Sequence, residues 1–140
     1  MKSFSKTVKI RFEHTDAEGI MFFPNVYRLI HATYEDFANH IGYPYKDWFQ
    51  NTDWGVPIRK SECEYYAPMR PGQSFDIEVR ITDLSDSSFT SNYAITMNGK
   101  KHADAKLVHV FVDRKTKSKT PLPTEIRGRL ETYQRECGNT

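Results

Sequence analysis

Phe12–Tyr34 reads FEHTDAEGIMFFPNVYRLIHATY, and it decides the fold because it joins the end of a strand to the start of the most apolar helix in the chain. From Pro24 onward Val26, Leu29, Ile30, Thr33, Tyr34, Phe37, Ala38 and Ile41 recur three and four apart, which places them on one broad helical face. Such a helix has to be buried. Its ends are marked: Pro24 suits a first turn, Asn25 can cap or open it, and Gly42 follows the last periodic residue as a stop. The helix is therefore expected to run to about His40.

The approach to this helix carries the chemistry. A lone acid, Asp16, precedes Gly19 and the apolar run Ile20-Met21-Phe22-Phe23. A helix start presents unpaired N–H groups and a partial positive charge. A carboxylate, an apolar wall that would desolvate it and aligned N–H donors can hold a carbonyl, stabilise its oxyanion and activate an attacking group.

Outward from this stretch, several strands are predicted. Thr7–Glu13 alternates, with Val8, Ile10 and Phe12 on one face. Tyr45–Asn51 reads as a short helical turn, Asn51–Gly55 as loop, and Val56–Ala67 as a strand without clean period. Phe75, Ile77, Val79 and Ile81 alternate with polar residues, as do residues in Phe89–Met97. Asn98-Gly99 is a tight hairpin signal leading into a strand over His102–Asp113, and Thr124–Glu136 is a helix with Ile126, Leu130 and Tyr133 on one side. Hairpin-linked strands make an antiparallel sheet, and one very apolar helix must be covered, so the sheet is expected to wrap it.

Composition narrows the function. The 140 residues fit one domain, 1–140. The 20 Lys plus Arg against 18 Asp plus Glu give a net charge of +2, too balanced for a nucleic-acid binder. Cys63 and Cys137 lie far apart with no metal-ligand or redox spacing, so no metal site is expected and a reducing cytoplasm suits them. No leader-like apolar run and no stretch of about 18 consecutive apolar residues occurs, so neither secretion nor membrane spanning is expected.

The run His14–Asn25 resembles the signature of the 4-hydroxybenzoyl-CoA thioesterase branch of the hot-dog-fold acyl-CoA thioesterases, D-x-D-x-x-G-[IV]-x-[FYW]-[FYH]-x-N. The resemblance continues through Glu64–Pro68, Pro71–Gln73, Ala103–Val112 and Pro121–Pro123. It implies an α+β hot-dog fold, a five-stranded antiparallel sheet around one long central helix, with a C-terminal helix. It also implies a hydrolase of acyl-CoA or aroyl-CoA thioesters, with coenzyme A as part of the substrate and no retained cofactor. Asp16 then corresponds to the nucleophile or general base, and the Phe23 backbone N–H to the group that polarises the thioester carbonyl. Gly19, Ile20, Met21, Phe22 and Asn25 would border the substrate. Relatives form dimers or dimers of dimers with each active site between subunits.

Four departures accompany the resemblance. His14 replaces the first acid and is a candidate to tune Asp16 or join proton transfer, against the plainer reading of a polar loop residue. Phe23 stands where relatives often carry Tyr or His, and His31 where they often carry an acid; His31 either approaches the substrate or satisfies a buried hydrogen bond. The turn Ser85-Asp86-Ser87 lacks the Arg-Arg-Lys cluster with which relatives hold coenzyme A phosphates, leaving Lys100, Lys101, Arg114, Lys115, Lys117 and Lys119 as the available cations, which as a charge run more often stay solvated. His40, His102 and His109 show no metal spacing and read as structural or exposed. A thioester dehydratase and a non-catalytic thioester-binding module are the alternative functions.

Overall fold

The structure, a computed structural model, describes residues 3–138. Its elements in chain order are β1 (Ser5–Lys9), a 3-10 turn (Phe12–His14), α1 (Asn25–His40), α2 (Tyr45–Trp48), β2 (Trp54–Gly55), β3 (Ile58–Tyr65), β4 (Ser74–Leu84), β5 (Ser88–Met97), β6 (Lys100–Val110), β7 (Val112–Asp113) and α3 (Thr124–Glu136). Five of the strands form one antiparallel sheet in the order β1-β4-β5-β6-β3.

α1 is buried along the face that its period marks, through Val26, Ile30, Thr33, Tyr34, Phe37 and Ala38. Against it lie the alternate residues of the three middle strands, among them Phe75, Ile77 and Val79 of β4, Phe89, Tyr93 and Ile95 of β5, and Ala103 and Leu107 of β6. A sheet wrapped on one long helix is the expected hot-dog arrangement. The Asn98-Gly99 hairpin joins β5 to β6 with φ of 52° and 77°, the positive pair that a tight primed turn requires. α3 spans the predicted residues and locks onto the sheet through Tyr133, whose hydroxyl donates to the Val79 carbonyl at 2.6 Å and accepts the Phe4 N–H.

Four expectations are corrected. The first strand ends at Lys9, opposite Ser74 where β4 begins; Ile10 still exchanges bonds with the Gln73 carbonyl and the Gly72 N–H, but there the partner segment turns away at Gly72, whose φ is 88°. Ile10 stays buried, but the chain then curls into the 3-10 turn and leaves Phe12 85% exposed, not on the apolar face. The last strand is interrupted after Val110, where the Phe111 N–H turns to the Ser87 carbonyl. Beyond that bend, β7 pairs with β2, so Trp54–Gly55 is strand and not loop. Aromatic packing holds this small ladder: the Trp54 ring lies 5.6 Å from Trp48 and 5.1 Å from Phe111. β3 is shorter than predicted and is a sheet edge, with every residue but Cys63 exposed.

Candidate active site

The segment between the 3-10 turn and α1 is a miniature hairpin. Thr15 and Met21 form a bridge, with the Asp16 N–H donating to the Ile20 carbonyl and the Phe22 N–H to the His14 carbonyl. Its turn is Asp16-Ala17-Glu18-Gly19: the Gly19 N–H returns to the Asp16 carbonyl and Gly19 takes φ of 76°, a conformation glycine adopts without Cβ strain. Asp16 Oδ1 accepts the Glu18 N–H at 2.8 Å, an Asx turn that fixes the carboxylate. Its other oxygen, Oδ2, has no protein partner among the described residues, and the side chain is solvent-exposed.

The strand that returns from this turn leads into α1 and is held from several sides. Met21 N–H donates to the Met69 carbonyl at 2.7 Å, and the Asn25 side-chain amide donates to the His14 carbonyl at 2.8 Å. Asn25 N–H bonds the Phe22 carbonyl, Val26 N–H the Phe23 carbonyl and Tyr27 N–H the Pro24 carbonyl. From Met21 to Tyr27, leaving aside Pro24, Phe23 alone has a backbone N–H with no acceptor among the described residues. That free donor stands at the start of a 16-residue helix, where the peptide dipoles add partial positive charge. One chain loop thus offers a carboxylate oxygen and an unsatisfied N–H donor.

A profile of the thioesterase-like superfamily matches residues 10–130. The chain belongs to the thioesterase-like superfamily. It is 31% identical over 135 residues to a 1,4-dihydroxy-2-naphthoyl-CoA hydrolase of Nostoc punctiforme, covering 96% of this chain and 91% of that one. In fold it resembles a 1,4-dihydroxy-2-naphthoyl-CoA thioesterase from Synechocystis, with a TM-score of 0.84 at 21% identity over 91% of this chain and 95% of that one. A Staphylococcus aureus protein solved in complex with CoA gives a TM-score of 0.88 at 15% identity, over 96% and 87% of the two chains.

Around the loop of this thioesterase the other candidates occupy distinct places. His14 turns its ring back on its own 3-10 turn: Nδ1 accepts the Arg11 N–H at 2.9 Å, and Nε2 lies 4.0 Å from a Glu13 carboxylate oxygen. Its carbonyl, gripped by Phe22 and Asn25, is the part that shapes the loop. Ile20 is half-buried, Met21 is buried in the core, and Phe22 and Phe23 are exposed with their rings edge-on at 5.5 Å. His31 is exposed and lines a groove of about 680 Å³ with Tyr27, Arg28, Glu35, Ile58 and Leu107, between α1 and the sheet edge β3.

Of the cations, Arg114 donates to the Asn51 carbonyl and is committed to the small ladder. The loop after it is ordered by Asp113, whose carboxylate accepts the Thr116 and Lys115 N–H groups; these donors hold its carboxyl below the usual range. The turn at Ser85–Ser87 is met by one guanidinium, Arg127 from α3, which donates to the Ser85 carbonyl. Among the described residues no cluster of three His, Cys, Asp or Glu could hold a metal ion, and no helix is long and apolar enough to cross a membrane.

One contact escaped the sequence. Tyr65, the last residue of β3, donates its hydroxyl to the Phe23 carbonyl at 2.6 Å across 42 positions of chain. No local period or motif announces it, because its partner is a backbone atom set by the wrap of the sheet.

Proposed function

We propose that this thioesterase hydrolyses aroyl-CoA thioesters, with coenzyme A leaving as part of the substrate and no retained cofactor. The single observation that carries the reading is the free Phe23 N–H at the start of α1, on the same loop as a carboxylate with a free oxygen. The thioester carbonyl accepts that N–H, so charge developing on its oxygen meets a fixed donor and the positive end of a helix. Asp16 either attacks the carbonyl carbon, forming an anhydride that water cleaves, or takes the proton from an attacking water. In both routes the C–S bond breaks and the thiolate of coenzyme A leaves. The aromatic preference is supported by the naphthoyl-CoA hydrolase relative and by exposed rings at Phe22, Phe23 and Tyr65 beside the donor.

The acting form is a homodimer, or a dimer of dimers, in the cytoplasm, where the free Cys63 and Cys137 stay reduced. The edge strand supports this assembly. β3 is basic at Arg59-Lys60 and acidic at Glu62 and Glu64, so antiparallel pairing with a second copy about Ser61 sets Lys60 opposite the partner's Glu62. Parallel pairing in register sets like charges side by side.

The test compares wild type with Asp16→Asn on a panel of aromatic and aliphatic acyl-CoAs, following free thiol. Loss of about a hundredfold or more in kcat is expected on removing a base or nucleophile. Equal rates for the two proteins refute the assignment of Asp16.

A further inference from the structure

Within α1, one bond reaches the peptide that carries the Phe23 N–H, from the Asn25 N–H to the Phe22 carbonyl at 2.9 Å. The helix has no side-chain cap, and Pro24, at its N-cap, has no N–H. The bond from Val26 to the Phe23 carbonyl is long, 3.3 Å, so the first helical turn holds Phe23 loosely. The other restraints come from outside the helix: the His14 carbonyl holds Phe22 and Asn25, the Met69 carbonyl holds Met21, and among the described residues Tyr65 alone reaches Phe23 from outside α1.

We infer that Tyr65 is the positioning residue for the oxyanion donor: its hydroxyl, anchored on the edge strand, fixes the Phe23 carbonyl and so, across the two backbone torsions of Phe23, restrains the direction of the neighbouring Phe23 N–H. Phe23 carries both groups. Pinning its carbonyl at 2.6 Å while the preceding peptide is pinned through Phe22 leaves little rotation for the N–H between them. An oxyanion donor that must be aimed before the reaction gains from such restraint, since reorienting it costs rate at the moment charge develops. Burial also raises the Tyr65 phenol's ionisation well above its ordinary value, so it remains a donor throughout the neutral and mildly alkaline range. The ring itself is 40% exposed, so removing the oxygen disturbs little packing.

The inference rests on the proposed role of the Phe23 N–H, and the experiment separates the two. Wild type, Tyr65→Phe and Asp16→Asn are assayed on the best aroyl-CoA of the panel. In parallel, proteins labelled with 15N-phenylalanine are titrated with an unreactive ketone analogue in which a methylene separates carbonyl and sulfur. For Tyr65→Phe, kcat is expected to fall about tenfold with KM within about twofold, the split produced by loss of an interaction specific to the transition state. The Phe23 amide, assigned by its absence in Phe23→Leu, is expected to move downfield on binding the analogue in wild type and much less in Tyr65→Phe. A Tyr65→Phe protein matching wild type in both kcat and amide shift overturns the role of Tyr65 while leaving the Asp16 reading standing. A wild-type Phe23 amide that the bound analogue does not move overturns both, since the donor is then not at the carbonyl.

Discussion

His109 is a titratable group at odds with its surroundings, and acid should reveal it. Its ring is fully buried, stacked between Tyr34 at 4.4 Å and Phe89 at 4.5 Å. Nε2 meets the Ser91 hydroxyl at 2.8 Å, whereas Nδ1 has no partner among the described residues. Burial, with a smaller contribution from nearby His31, pushes its pKa down to about 3 from the usual 6.5. Between those two values the unfolded chain binds a proton that the folded chain refuses, so stability is full above about pH 6.5 and falls as the pH drops towards about 3. At pH 5 the folded ring is still neutral and the loss is set by the unfolded value, about 2 kcal/mol. The check is urea unfolding of wild type and His109→Phe at pH 7.5 and pH 5.0, at one fixed protein concentration. Phenylalanine keeps the stack, and Ser91 retains the Tyr93 hydroxyl at 2.9 Å. The remaining histidines are common to both proteins, so wild type should lose about 2 kcal/mol more than the variant on acidification. Equal losses refute the reasoning.

Other perturbations follow from single contacts. Gly42→Ala should destabilise by about 2–3 kcal/mol in urea, because φ is 105° there and a Cβ would sit 1.8 Å from the Arg129 guanidinium that bonds the Ile41 carbonyl; a loss below about 0.5 kcal/mol contradicts this. Tyr34→Phe strips the acceptor from buried Trp48 Nε1, now 2.6 Å away, and should cost about 1–3 kcal/mol, read by denaturation together with a change in tryptophan fluorescence. Lys117→Gly should stabilise by about 0.5–1 kcal/mol in the same assay, since Lys117 is held at φ of 63° in a turn whose backbone bonds do not use its side chain.

Where an element is specified by its own period it was legible. α1, β4 and α3 each carry a repeating apolar face long enough to declare their type; α3 matches its predicted residues, while β4 runs on to Leu84, past the end of its alternating stretch at Ile81. Elements whose limits depend on a partner were not. β1 ends where its antiparallel partner β4 begins, and β2 exists because the chain bends at Phe111 and delivers Val112 beside it. The site divides in the same way. Asp16 and the donor at Phe23 are close in sequence, so the loop could be found from an acid, a glycine and a helix start. Nothing in that stretch disclosed that Asn25 would reach back to the His14 carbonyl instead of capping α1, or that the His14 ring would close on Arg11. Tyr65 and the burial of His109 between Tyr34 and Phe89 arise only when distant segments meet.

The open edge of β3 has a consequence for the single chain in solution. An eight-residue strand with unpaired backbone groups is a template for indiscriminate stacking, the first step towards insoluble fibres. Its charges act as gatekeepers: in-register parallel stacks would pile lysine on lysine and glutamate on glutamate, while a foreign apolar strand would desolvate both. Mutating Lys60 and Glu62 together to threonine would leave the strand's β-propensity high and remove that protection, turning a selective edge into a sticky one.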